Sequence, residues 1–225
     1  MNYKKIIESK YNREAWQQLL HDIFRNKVSF WNRPSAVHVN SRLAKEALNL
    51  GKISLADGEA IAIYEVELTE KVDIEHNRRG IRDMLTSDWR NMGYAGAFMF
   101  CYRKNESVLR FSYVSETWGF DKQGNYEKIS TNTKRYTYLL GEGRGCRTAV
   151  EQFGVLKNSK QTLSDITAAF SVEALTKQFY KDLFEWYQWV IEPSSNVSFP
   201  NNIAIEDDDR EDLETKIIRL ITRIM

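Results

Sequence analysis

Two glutamates, Glu65 and Glu67, lie two residues apart in a stretch that alternates as a β-strand, from about residue 59 to residue 68. Side chains two residues apart in a strand point to the same face of the sheet. Two carboxylates side by side at the end of an apolar strand repel each other and lose hydration. A divalent cation removes both costs, and Mg²⁺ commonly takes one or two protein carboxylates together with water and phosphate. The pair therefore suggests a metal site for phosphodiester chemistry.

Two neighbouring residues extend this candidate site. Asp57 lies in the turn Ala56-Asp57-Gly58 just before the strand and is a candidate third carboxylate. Lys71 has the same parity as the two glutamates if the strand continues that far. The candidate catalytic residues are therefore Asp57, Glu65, Glu67 and Lys71, with the three acids as metal ligands. The alternative is that Glu65 and Glu67 are solvated or form ion pairs with nearby arginines.

Basic residues recur at the predicted strand ends and loops, where they could line one cleft. Arginine suits bidentate contacts with phosphate groups. Each arginine is also a common member of a surface ion pair, so only their clustering in space would indicate a binding site. The candidate residues for binding phosphate groups are Arg78, Arg79, Arg82, Arg110, Arg135 and Arg147.

The composition indicates one substantial domain, or a domain with a helical extension, in 225 residues of which 42% are hydrophobic. The formal net charge of +1 is uneven, because residues 206–214 contain seven acids and one arginine. The rest of the chain is therefore basic, which suits a polyanionic partner. No secretory or membrane-spanning segment is evident, and we expect a cytoplasmic protein. Cys101 and Cys146 lack metal-ligand spacing and are interpreted as ordinary small residues.

Hydrophobic periodicity predicts a chain that contains both strands and helices. Residues 28–40 are predicted to be irregular, because Pro34 breaks any helix. The predicted strands are a short one from Ile53, then 59–68, 94–102, 108–115 and 134–140. The predicted helices are 12–26, 41–50, 75–91, 147–156, 164–170, 171–192 and 213–225. The strongly apolar final helix suggests a chain that belongs to a longer polypeptide.

Five segments in order carry a resemblance to a known family: IYEVELTEKVDIEHNRRGIRDML, LRFSYVSETW, KRYTYLLGEGRGCRTAVEQF, SVEALTKQFYKDLFEWYQW and EDLETKIIRLITRIM. This series resembles the N-terminal region of type IIG-like bacterial restriction–modification polypeptides. In those, a nuclease-like segment precedes a helical segment and an N6-adenine methyltransferase. The methyltransferase motifs, an NPPY-type sequence and a glycine-rich SAM loop, are absent from this chain.

The resemblance implies an α/β (α+β) fold at residues 1–160, a mixed central β-sheet flanked by helices like that of restriction endonucleases of the PD-(D/E)XK type, and a helical extension at 161–225. Carried over by position, Asp57 is the first acid and Glu65 is the acid of the (D/E)-x-K element. Glu67 occupies the position of the lysine in that element, and Lys71 is a candidate replacement for it. The implied cofactor is Mg²⁺ or Mn²⁺. The implied partners are double-stranded DNA and downstream methyltransferase and target-recognition domains.

Two functional hypotheses follow. The first is the DNA endonuclease domain of a type II restriction–modification enzyme, which hydrolyses phosphodiesters with a metal ion. The second is a catalytically inactive, nuclease-like DNA-binding or scaffolding module of a DNA methyltransferase polypeptide. The three histidines, His21, His38 and His76, show no motif spacing, which disfavours a small-molecule hydrolase. The first hypothesis requires Asp57 and Glu65 to reach one metal ion.

Overall fold

A computed structural model describes residues 2–76, 80, 85–116, 118–120, 126–128, 134–170, 172–192 and 210–224. The helices in these ranges are α1 (Tyr3–Ile7), α2 (Arg13–Phe24), α3 (Thr86–Asn91), α4 (Arg147–Asn158), α5 (Leu163–Ala169), α6 (Val172–Ile191) and α7 (Arg210–Ile224). The strands are β1 (Val28–Ala36), β2 (Ala44–Ser54), β3 (Ala60–Leu68), β4 (Gly96–Tyr102), β5 (Val108–Ser115), β6 (Trp118–Phe120), β7 (Tyr126–Lys128) and β8 (Lys134–Gly141).

Six strands form one mixed sheet in the order β1-β2-β3-β4-β5-β8. Neighbouring strands are antiparallel except β3 and β4, which are parallel. A parallel pair requires a crossover connection, and the chain between β3 and β4 contains α3. β6 and β7 form a separate hairpin ladder. The prediction of an α/β protein with a mixed sheet flanked by helices is confirmed.

Both faces of the sheet are buried. On one face, Ile61 and Ile63 of β3 join a core that includes residues of α1, α2, α4 and α5. On the other face, Tyr64 and Val66 join a smaller core that includes Trp89 of α3. The alternation predicted for residues 59–68 is therefore confirmed, and it places Glu65 and Glu67 on the face of the larger core.

Helix α2 begins and packs as its local sequence indicates. Asn12 caps α2, and its side-chain oxygen accepts a hydrogen bond from the backbone N–H of Ala15 at 2.8 Å. The apolar stripe of this helix, which includes Trp16, Leu20 and Phe24, is buried. Because the cap sets where α2 begins, it also sets Arg13 as the first helical residue.

Two predictions for residues 28–50 are wrong. The segment 28–40 was expected to be irregular and contains the edge strand β1, in which Pro34 lies within a break in the ladder. The segment 41–50 was expected to be a helix and forms most of β2. Its alanines, leucines and charged residues favour helix locally, but pairing with a strand on each side overrides that propensity.

The chain divides into two units, residues 1–172 and residues 173–225. The helix predicted over 75–91 appears as α3 at its end, while residues 77–79 and 81–84 lie outside the described range. The predicted helices at 171–192 and 213–225 correspond to α6 and α7 of the second unit. That unit contains an open apolar groove of about 540 Å³ lined by Tyr180, Leu183, Phe184, Tyr187, Ile218 and Ile221.

Candidate functional site

The two glutamates predicted from the sequence lie where β3 and β4 end. Because these strands are parallel neighbours, both end at the same edge of the sheet. In their register, Glu65 lies beside Phe100 and Glu67 lies beside Tyr102. Glu65 is 4% exposed and Glu67 is 6% exposed, so both carboxylates are buried.

Arg13 binds the Glu65 carboxylate through two parallel hydrogen bonds. Its Nε donates to Oε2 at 2.8 Å, and its Nη2 donates to Oε1 at 2.5 Å. Tyr11 adds a third hydrogen bond, donated by its hydroxyl to Oε2 at 2.6 Å. This fork geometry is the strongest form of arginine–carboxylate contact.

The oxygens of Glu65 are fully used by these contacts. A carboxylate offers about four lone-pair sites. Three are taken by Arg13 and Tyr11, and the Tyr102 hydroxyl lies 3.5 Å from Oε1 at the fourth. The hydrogen bond to Glu65 raises the pKa of Arg13, and burial raises the pKa of Tyr11. In this arrangement Glu65 is a structural anion, and both of its oxygens accept short hydrogen bonds from Arg13 or Tyr11.

Tyr102 completes this cluster. Its ring stacks on the ring of Tyr11, with centroids 4.6 Å apart and an interplanar angle of 28°. Burial raises the pKa of Tyr102 to about 12, and the charges of Glu65 and Glu67 act in the same direction. The phenol is therefore neutral near pH 7, and it acts as a hydrogen-bond donor beside the two carboxylates.

Lysines neutralise Glu67. Lys104 Nζ lies 3.0 Å from Oε2, and Lys45 Nζ lies 3.7 Å from Oε1. Both lysine side chains are well exposed, at 71% and 49%. The hydrogen bond to Glu67 raises the pKa of Lys104. Glu46 of β2 pairs in register with Glu67, so it is a third acid at this edge of the sheet.

Asp57 lies at the opposite end of β3. From Ala60 to Glu65 the strand rises about 16 Å, at ~3.3 Å per residue, and Asp57 precedes Ala60. Its Oδ2 accepts a hydrogen bond from the backbone N–H of Leu163, the first residue of α5, at 2.8 Å. The carboxylate therefore ties the β2–β3 turn to the start of a helix, where negative charge is favourable.

The predicted four-residue constellation does not assemble in this structure. β3 ends at Leu68, so Lys71 lies in the following turn and is exposed. No group of three or more His, Cys, Asp or Glu side chains in the described part of the chain is arranged to hold a metal ion. Asp57, Glu65 and Glu67 together therefore do not suit Mg²⁺ or Mn²⁺ as a shared ligand set.

Arg110 is buried and its guanidinium is bonded to the backbone of the same chain. Its side chain is buried, its Nε donates to the carbonyl of Ile74 and its Nη2 donates to the carbonyl of Glu75, each at 2.5 Å. Arg144 forms an ion pair with the Glu75 carboxylate. These contacts hold the segment that follows β3 against β5. A guanidinium in this position is not available to a DNA phosphate, so the structure does not support Arg110 as a DNA contact.

The other predicted arginines are distributed as follows. Arg147, at the start of α4, is exposed and donates from Nε to Glu151 Oε1 at 2.8 Å. Arg135 belongs to β8, where its backbone pairs with Val114, and its side chain is outside the described part. Arg78, Arg79 and Arg82 also lie outside the described residues. Of the six arginine side chains, the structure describes two, Arg110 and Arg147, and each of them is bonded to a group of the same chain.

Sequence reasoning missed the residues that bind the two glutamates, namely Tyr11, Arg13, Lys45, Tyr102 and Lys104. The asparagine cap indicates that Arg13 begins a helix, but no local pattern pairs it with a glutamate in β3. Lys104 follows β4 directly, and a parallel β3–β4 pair would have brought it near Glu67.

Comparisons with protein families, curated proteins and solved structures found no match to this chain. A search of the described helices for a membrane span found none with the length and apolar character to cross a bilayer.

Proposed function

We propose that residues 1–172 form a DNA-binding module that positions DNA without cleaving it. This is the second of the two hypotheses from the sequence. The restriction–modification context, including a cytoplasmic location and a methyltransferase elsewhere in the polypeptide, rests on the resemblance of the five segments quoted above. The nuclease-like identity of the sheet rests on the same resemblance.

The observation that carries the proposal is the saturation of the Glu65 carboxylate. A nuclease of the implied type needs this acid as a metal ligand. In this structure Arg13 and Tyr11 are bonded to the Glu65 oxygens. Asp57, the first acid of the implied site, is at the other end of β3. Removing Arg13 from a buried carboxylate is costly, because the charge is then left without its partner.

The charge balance of the first unit supports a polyanionic partner. Residues 1–172 contain 26 lysines and arginines and 20 aspartates and glutamates, a net charge of +6. Residues 173–225 contain 6 basic and 11 acidic residues, a net charge of −5. A basic unit favours the DNA backbone, and binding of that kind weakens steeply as salt is raised.

The test combines binding and cleavage on the full chain. We expect fluorescence anisotropy to show salt-dependent binding of a labelled DNA duplex. We also expect no nicking of supercoiled plasmid with Mg²⁺ or Mn²⁺, either by the wild-type chain or by the Glu65→Ala variant. Metal-dependent nicking that disappears in Glu65→Ala would contradict the proposal that the chain binds DNA without cleaving it. Absence of any DNA binding would sink the DNA-binding proposal.

A second candidate is the Mg²⁺-dependent type II restriction endonuclease of the first hypothesis, with Glu46 in place of Asp57. One observation favours it: Glu46 and Glu67 are directly paired across β2 and β3, at the same edge as Glu65. This candidate requires Arg13 to leave Glu65 and the glutamates to rearrange, because no three such side chains in the described part of the chain are arranged to hold a metal ion. It predicts nicking that is lost in Glu46→Gln and retained in Asp57→Asn, whereas the non-cleaving proposal predicts no nicking in either.

A further inference from the structure

The edge strand β1 carries a pronounced break in its ladder with β2. Phe30 pairs with Gly51 and Ser35 pairs with Asn49, so residues 31–34 stand opposite the single residue Leu50. These four residues, Trp31-Asn32-Arg33-Pro34, are called the β1 bulge below. Because β1 is at the edge of the six-stranded sheet, the bulge faces no further strand of that sheet.

Trp31 is held in place by a buried side chain. Its indole Nε1 donates to Asn49 Oδ1 at 2.9 Å, and the same oxygen accepts from the backbone N–H of Gly51 at 3.0 Å. Asn49 is 1% exposed, whereas Trp31 is 37% exposed. The polar atom of the indole is therefore satisfied internally, and what the ring presents to solvent is aromatic surface.

Met92 lies beside the same asparagine. Asn49 Nδ2 donates to Met92 Sδ at 3.6 Å, and Met92 is 42% exposed. Of the described residues of the first unit, three large hydrophobic side chains are exposed: Trp31, Met92 and Val155. Two of the three flank one buried side chain, so they form a small preorganised apolar patch.

The sequence around this patch is basic. Residues 23–45 contain five lysines and arginines and no aspartate or glutamate. Arg25 precedes β1, Arg33 lies in the β1 bulge and Arg42 follows the strand, and all three are exposed. None of these three forms an ion pair within the described part of the chain. The edge therefore combines uncompensated positive charge with a fixed aromatic ring.

We propose that this edge binds a single-stranded segment of DNA, with one base stacked on Trp31 and phosphates bound by Arg25 and Arg33. Single-strand sites combine a basic track with aromatic platforms in this way, and stacking needs a base whose face is free. The ring is already oriented, so little conformational entropy is lost on binding. This inference rests on the proposed DNA-binding function and names the surface and the form of DNA.

The test is anisotropy of the full chain with a labelled oligothymidylate and with a duplex of equal length, at several salt concentrations. Trp31→Ala is expected to weaken single-strand binding roughly 10-fold or more, while Trp31→Phe retains most of it. Trp189→Ala, at a tryptophan of the second unit that is 50% exposed, is the matched control and is expected to have no effect. Arg33→Ala is expected to lower the slope of log affinity against log salt by about 0.7.

The outcomes separate this inference from the proposed function. Duplex binding with single-strand binding that is unchanged in Trp31→Ala, Arg25→Ala and Arg33→Ala would overturn the inference and leave the DNA-binding function standing. If the wild-type chain binds neither oligonucleotide, both the inference and the proposed DNA-binding function are overturned. A protein would then be the better partner for the patch. The arginine variants and Trp31→Phe keep the test decisive if Trp31→Ala does not fold, which circular dichroism would show.

Discussion

Arg13 and Glu65 form a bidentate ion pair across 52 residues of sequence, joining the first turn of α2 to the end of β3. The glutamate side chain is 5% exposed and the arginine side chain is 39% exposed. The pair therefore places a buried negative charge under a cation that is partly in contact with water. Such a pair ties a helix to the sheet in one register, and it makes Glu65 part of the architecture.

Removal of the cation is expected to destabilise the first unit strongly. Arg13→Ala leaves the Glu65 carboxylate buried with only Tyr11 and Tyr102 as partners. We expect the free energy of unfolding to fall by about 2–4 kcal/mol, since an uncompensated buried charge is costly. Urea denaturation followed by circular dichroism measures the change.

Lys45→Ala is the matched control for that measurement. Lys45 is exposed, and Glu67 keeps its closer partner Lys104 when Lys45 is removed. We expect a change of less than about 0.5 kcal/mol, as for an ordinary surface ion pair. Equal effects of Arg13→Ala and Lys45→Ala would contradict a structural role specific to Glu65.

The free energy of unfolding at alkaline pH is expected to depend on Tyr102. Its pKa of about 12 in the folded chain is above the ordinary tyrosine value of 10.0, so the folded state holds the phenolic proton more tightly than the unfolded state. The stability from this group is fully present below pH 10 and is lost as the pH rises from 10 through 12. Tyrosinate absorbance, measured as the difference between wild type and Tyr102→Phe, reports the transition.

Glu67→Gln tests the electrostatic part of this shift. Burial is the main cause of the raised pKa, and the charges of Glu65 and Glu67 add to it. Removing one charge is expected to lower the pKa of Tyr102 while leaving it above 10. An ionisation of Tyr102 near pH 10 in the wild-type chain would refute the partly buried placement of its hydroxyl beside the two carboxylates.

Gly51 is expected to tolerate no side chain. A Cβ at this position would lie 2.1 Å from the backbone oxygen of Ser29 in β1, so the edge strand would have to move. We expect Gly51→Ala to lower the free energy of unfolding by about 2 kcal/mol or more. The same variant also displaces the pairing that positions the β1 bulge, and thermal denaturation measures its effect.

Gly154, in the middle of α4, is the opposite case and serves as the control. A Cβ at this helical position meets nothing within 4 Å. Gly154→Ala is expected to stabilise the chain by about 0.5–1 kcal/mol, because alanine loses less backbone entropy in a helix. A destabilised Gly154→Ala or a neutral Gly51→Ala would contradict the packing described here.

The sequence by itself determined the elements whose pattern is local. The alternation of β3, the cap and apolar stripe of α2 and the strands 94–102 and 108–115 were all predictable, because each is set by neighbours two to four residues apart. The burial face of Glu65 and Glu67 followed from the same alternation. Their positions near the end of one strand followed from the point at which the alternating pattern stops.

Only the tertiary structure decided what those glutamates contact and how β2 folds. The docking of α2 brings Arg13 and Tyr11 to Glu65, and the parallel pairing of β3 with β4 brings Lys104 to Glu67. The spacing of these residues in the sequence indicates neither contact. β2 has the composition of a helix and becomes a strand because hydrogen-bonding partners on both sides outweigh its intrinsic propensity. Contacts between residues far apart in the sequence therefore place the two glutamates, which the sequence suggests as metal ligands, in a network of ion pairs and hydrogen bonds.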